Sequence, residues 1–342
     1  MFWEHEGRVR FSAPRHEVRF TLKVSYTSNM KENQFENITK KSILEDLESQ
    51  VLLARKLGNV YEQRPDLDEF VGAMEATDHA REYTSEAVAH DKAYVDTIRG
   101  KIDEKNSSHG RENLDNKEIG FQLSEMLQAM IVDRMNNHWF KNCTAIMTSD
   151  YDDLRSGIDA VLKHEKGGYL GAAFDFTITN KDKIIYEKLN KDWERNISKG
   201  SVPVLKYYKD PHTGEKKRLL VPKFIIGGSK QDVEELAQAY LENNQEVLDN
   251  HPFKYLMLLQ IEEQLQASLD FYETNKDPKL RFSKDQYEKI QKLIREMKRD
   301  IHMDENMNVD LHEYAKNSVA LDMMRRFRIM RERDLMKEET GS

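Results

Sequence analysis

Two short apolar runs constrain this chain more than anything else in it: Gly157-Ile158-Asp159-Ala160-Val161-Leu162 and Gly171-Ala172-Ala173-Phe174-Asp175-Phe176-Thr177-Ile178. Each has the length of a strand, and each carries one aspartate among apolar neighbours. The segment between them, His164-Glu165-Lys166-Gly167-Gly168, is polar and glycine-rich, as a hairpin connection is. A buried carboxylate without a partner costs several kcal/mol. The strand period of two puts Asp159 on the face of Val161 and Lys163, and Asp175 on the face of Thr177. Pairing of the strands would therefore bring the two carboxylates close together, where like charges raise each other's pKa unless a cation lies between them. Hard oxygen ligands of this kind suit Mg²⁺, which keeps several waters and meets substrate phosphates. Water activated in that way attacks a phosphodiester, with a nearby lysine stabilising the developing charge. The plainer alternative is structural, with Asp159 accepting from an N-terminus or pairing with Arg155, and with Asp152 and Asp153 acting as caps or turns, a metal role for these two staying open.

The flanking sequence is mostly helical. Val18 to Tyr26 alternates as a strand does, in a hairpin with Val9-Arg10-Phe11. Apolar positions at three and four residue spacing predict a helix from Thr39 to Leu52 and a longer one from Pro65 to about Gly100. Asp103 to Asn116 is polar and without period, so it reads as a boundary loop. A helix from Lys117 to about Trp139 buries Ile119, Leu123, Met126, Leu127 and Met130, with Glu125 off that stripe. Asn180 stands as the N-cap of a helix from Lys183 to Lys199 that Gly200 ends. Two strands follow, Val202–Tyr208 and Arg218–Gly227, each with a proline that suits an edge. Helices are predicted at Val233–Leu248, Pro252–Tyr272, Ser283–Lys298 and Val309–Lys337. The fold class is therefore α+β: a small mixed sheet with flanking helices, set between helical N- and C-terminal arms. The expected division is an N-terminal region over 1–105, an α/β core over 117–230 and a C-terminal helical region over 231–342.

The succession of a helix with a glutamate, a strand with Gly-Ile-Asp, a strand with an acid-x-polar triplet, a helix and a further strand resembles the core of PD-(D/E)xK, restriction-endonuclease-like nucleases. The resemblance covers roughly residues 117–227. It implies a Mg²⁺-dependent nuclease acting on or binding DNA, with Asp159 and Asp175 on the metal and Glu125 or Glu118 as the helical acid. The family places a lysine two residues after the second acid, and this chain has Thr177 there. Lysine migration to the following helix makes Lys188 the preferred replacement, with Lys183 behind it and Lys163 as another donor. The stretch from Asp152 through the helix of the 250s is also similar to uncharacterised bacterial proteins. The alternative is an inactive helical scaffold that binds a protein partner, or a homo-oligomer.

Composition narrows the choice. The net charge of −8 argues against indiscriminate coating of nucleic acid. Cations gather at Lys279–Arg299 and Arg325–Arg333, so the basic C-terminal helices are a candidate nucleic-acid surface, although acids interleave with them and a solvated, ion-paired face is the plainer reading. No apolar run is long enough to cross a membrane, and the single Cys143 and the absence of a leader-like start point to a cytoplasmic protein. The 11 histidines show no zinc-ligand spacing, and no phosphate-binding glycine loop or hydrolase nucleophile motif occurs.

Overall fold

The computed structural model describes residues 9–10, 17–18, 47–73, 78–107, 124–164, 170–179, 181–275, 277–302 and 311–340. The N-terminal hairpin is seen as strands β1 (Val9–Arg10) and β2 (Glu17–Val18), with Val9 opposite Val18. The expected continuation to Tyr26, the helix start at Thr39, Glu118 and the Asn180 cap all lie outside the described residues.

Helices α1 (Leu47–Lys56) and α2 (Gly58–Glu62) come first. The helix expected over 65–100 is broken. Residues Leu67–Phe70 and Ala80–Tyr83 form 3₁₀ turns, and α3 spans Ser85–Ser107. Gly72 in the left-handed region (φ 70°) and Thr84, whose Oγ1 accepts from the Ala87 amide, account for the break. The helix also continues through the stretch read as a boundary, up to Ser107. Helix α4 occupies 124–134 and runs into a π turn at Met135–Trp139.

Next come strand β3 (Cys143–Met147) and helix α5 (Asp150–Ser156). The paired central strands are β4 (Ala160–His164) and β5 (Leu170–Ile178). Helix α6 (Asp182–Arg195) is followed by a 3₁₀ turn that ends at the left-handed Gly200. Strands β6 (Val204–Lys209), β7 (Lys216–Leu220) and β8 (Lys223–Gly228) complete the strand-bearing part. The rest is helical: α7 (Lys230–Leu241), α8 (Gln245–Asn250), α9 (Phe253–Thr274), α10 (Arg281–His302), α11 (Leu311–Lys316) and α12 (Val319–Thr340). The helix expected over 233–248 is interrupted at Asn243, where φ is 54°.

The main sheet has the order β3-β4-β5-β8, antiparallel except for the parallel β5–β8 pair. The expected strand Arg218–Gly227 is in fact two strands. Pro222 has no N–H to continue the β6–β7 ladder, and its carbonyl instead accepts from the Ala173 amide at 2.8 Å. The chain thus leaves one sheet and joins the other at that residue.

Strand alternation divides the apolar residues as the period requires. Ala160, Leu162, Ala172, Phe174 and Phe176 face the main core, which also contains residues from Leu53 to Leu335 and so draws on all three expected regions. Val161 and Ala173 face a smaller cluster with Ile146, Ile158, Leu205, Tyr208 and Val221. On the β5–β8 side the sheet edge is closed by α9. Gln260 bonds both the amide and the carbonyl of Gly227 at 2.8 Å, and Gln264 does the same for Ile225 at 2.9 Å. One helical turn on α9 matches two residues of strand, so the edge is satisfied without another strand. Gln260→Leu orphans two buried backbone groups, and a loss of about 2–4 kcal/mol is expected, read as a lower urea midpoint at unchanged slope.

Candidate functional site

Helix α5 sets up the acidic end of the site. Ser149 caps it, and Gly157 closes it in the left-handed region at φ 61°. Asp152 is fully buried and accepts from the amides of Lys206 and Tyr207 at 2.8 and 2.9 Å, tying the β6–β7 hairpin to this helix. Burial outweighs those donors and lifts its pKa to about 6. Asp152 is therefore structural. Its neighbour Asp153 points to a different set of partners.

The strand register carries Asp159 to Asp175. Ala160 pairs with Phe174 at the end of the β4–β5 ladder, and Asp159 is the next residue outward. Its Oδ2 accepts from the Phe176 amide at 2.7 Å. Only 6% of Asp159 and 8% of Asp175 is exposed, so both carboxylates lie at the floor of the site. Burial pushes the Asp159 carboxyl well above the ordinary range; the charges of Asp153 and Asp175 push it further, and Lys188 opposes them. Asp153 is raised for the same first reason, opposed by the Arg64 guanidinium and by a hydrogen bond shared with Asp159.

Two lysines bracket Asp175. Lys188, on α6, donates to Oδ1 at 2.5 Å, and Lys223, at the start of β8, lies 3.9 Å from Oδ2. Lys223 also donates to the Ser156 carbonyl at 3.2 Å and stands 3.4 Å from Asp192, whose carboxyl is raised by burial. Glycine suits position 157 because its φ of 61° lies in the left-handed region; a Cβ there would only reach ordinary contact, 3.4 Å, with Asp175 Oδ2.

These groups line a cavity of about 640 Å³, with Glu125 from α4 on one side and Arg155, Lys191 and Arg195 on the rim. Glu125 is half-buried, and that burial raises its pKa against the opposing charge of Arg64. Arg64 secures the acids from outside. Its guanidinium donates to the Thr148 carbonyl at 2.7 Å and lies 2.9 Å from Asp150 and 3.2 Å from Asp153.

Comparison with family models, curated proteins and solved structures finds no match for this chain. The site therefore has to be read from its own chemistry.

Of the residues singled out in the sequence, Asp159, Asp175, Glu125 and Lys188 meet at the cavity. Lys163 does not. Although it shares a strand face with Asp159, it lies four residues further along and pairs with the buried Asp210 at 2.6 Å. Thr177 is buried opposite Gly227 on β8 and does not line the cavity, because two residues of strand carry it past the carboxylates. Lys183 is exposed on α6, 3.8 Å from Glu187. Arg155 lies over the Tyr94 ring rather than on Asp159. Sequence reading missed Arg64, Lys223 and Asp192, and read Asp153 chiefly as a cap or turn residue with a metal role left open. A lysine opening an apolar strand was a visible signal for Lys223; Arg64 gave none.

Among the described residues, no group of three or more His, Cys, Asp or Glu side chains has the spacing of a ready-made metal cage. The acids nonetheless fit Mg²⁺, which takes one or two protein carboxylates and completes its shell with water and phosphate. Lys188 occupies one oxygen that such an ion would use. No described helix is long and apolar enough to cross a membrane.

Proposed function

We propose that this cavity binds Mg²⁺ and hydrolyses a DNA phosphodiester, as the PD-(D/E)xK resemblance implies. The observation that carries the reading is Lys188 on Asp175: the cation missing at position 177 arrives from the next helix, beside two acids on adjacent strands. The succession of α4 with Glu125, β4 following Asp159, β5 with Asp175, then α6 and β8 supports it. Asp159 and Asp175 would hold the ion, which supplies Lewis-acid stabilisation of the phosphoryl oxygens when bound. Lys188, freed from Asp175, would place its ammonium against the developing charge at the phosphate. Lys223 would keep Asp175 oriented through its second oxygen, while Asp153 and Glu125 would set the negative field at the floor. The low exposures of Asp159 and Asp175, below 10%, strengthen the interactions that these two carboxylates make.

The scaffold reading has one observation in its favour. Many cations of the C-terminal helices are already paired with acids, as Arg325 and Arg328 are with Glu263 and Lys298 is with Glu262. Cleavage of labelled DNA in Mg²⁺ or Mn²⁺ separates the readings. Asp175→Ala is expected to lose at least about 10²-fold in rate relative to the wild type. Equal rates in the two proteins would place the activity elsewhere.

A further inference from the structure

Three cations share one face of α6. Lys188, Lys191 and Arg195 fall at i, i+3 and i+7, which spans about 10 Å along the axis at 1.5 Å per residue. Lys188 is engaged at the acids, whereas Lys191 and Arg195 are exposed at the cavity rim. Neither of those two has an ion-pair partner among the described residues. Partial burial holds the Lys191 ammonium below its usual pKa, and the nearby charges of Arg195 and Lys223 act in the same direction. An anion between these cations would relieve that repulsion. Val202 and Pro203 also line the cavity and offer an apolar surface against which a base can lie.

We propose that Lys191 and Arg195 form a phosphate track that feeds single-stranded DNA to the carboxylates. The proposal rests on the nuclease reading of the same site. Lys191 and Arg195 stand four residues, about 6 Å, apart along α6, so the two cations can meet successive phosphates of one strand. The cavity of about 640 Å³ is the size that takes a compact ligand, so it accepts one or two nucleotides. A duplex carries its second strand across a groove about 12 Å wide, and that strand has no place in such a cavity.

The test is fluorescence anisotropy in Mg²⁺, with a labelled phosphorothioate 12-mer as a single strand and as a blunt duplex, over a salt series. The wild type should bind the single strand at least about tenfold more tightly than the duplex. Lys191→Gln/Arg195→Gln should lose about 10-fold or more in affinity. Its log–log salt slope should be shallower by about 1.4, because each phosphate contact on a single strand contributes about 0.7. Lys183→Gln, on exposed α6 surface outside the cavity, should leave both quantities unchanged. An unchanged slope in the double variant, equal binding of the duplex, or no binding of either DNA overturns the track. If Asp175-dependent cleavage persists while the slope is unchanged, the track alone fails. If wild type and Asp175→Ala cleave equally, the site reading fails first.

Discussion

Lys188→Met is expected to reduce Mg²⁺-dependent DNA cleavage by about 10²- to 10³-fold while leaving the fold intact. The magnitude is that of removing one preorganised charge-stabilising donor from a site sheltered from water. The Lys188 side chain is 32% exposed, and Asp175 keeps Lys223 at 3.9 Å, so the stability change should stay within about 1 kcal/mol. Methionine retains most of the length of the stem without the charge. Lys188→Arg keeps the charge with a different reach and should recover part of the rate. Single-turnover cleavage together with urea unfolding of both variants checks this. A Met variant that cuts like the wild type would remove Lys188 from the chemistry.

Arg64→Met should be the most destabilising single change at the site, by about 3 kcal/mol. The Arg64 side chain is 14% exposed, and its guanidinium holds the Thr148 carbonyl, Asp150 and Asp153 together. Its loss leaves the partly buried Asp153 beside Asp159 with no ion-pair partner among the described residues, although Asp150 keeps Arg99 at 2.7 Å. Lysine should not restore the lost stability, because one ammonium cannot reproduce a planar fork that meets three acceptors. Urea denaturation should show a lower midpoint with the slope unchanged. A loss below about 0.5 kcal/mol would mean that the acids are stabilised by solvent rather than by Arg64.

The part of the site that local pattern controls was legible in the sequence. Strand alternation at Asp159 and Asp175 places both on one face of the sheet because the period of two is a property of the backbone. Lys188 was named through the resemblance alone, which moves the missing lysine to the following helix. What tertiary packing controls was not legible. Arg64 reaches Asp153 across 89 positions, and nothing local to either residue records the pairing. Lys223 owes its place to the parallel pairing of β5 with β8, which follows only once Pro222 has ended the β6–β7 ladder. Strand β3 was missed because Cys-Thr-Ala-Ile-Met has little alternation and few β-branched residues. The helix predicted from Pro65 failed because Gly72 and Thr84 act as stops within an otherwise helical composition.

The central claim is that Asp159 and Asp175 share a divalent cation. Anomalous scattering from crystals grown with Mn²⁺ tests it most directly. The account predicts a peak within coordination distance of both carboxylates, with the Lys188 ammonium withdrawn from Asp175 Oδ1. Manganese bound only elsewhere, or Lys188 still seated on Asp175 at saturating Mn²⁺, would contradict it.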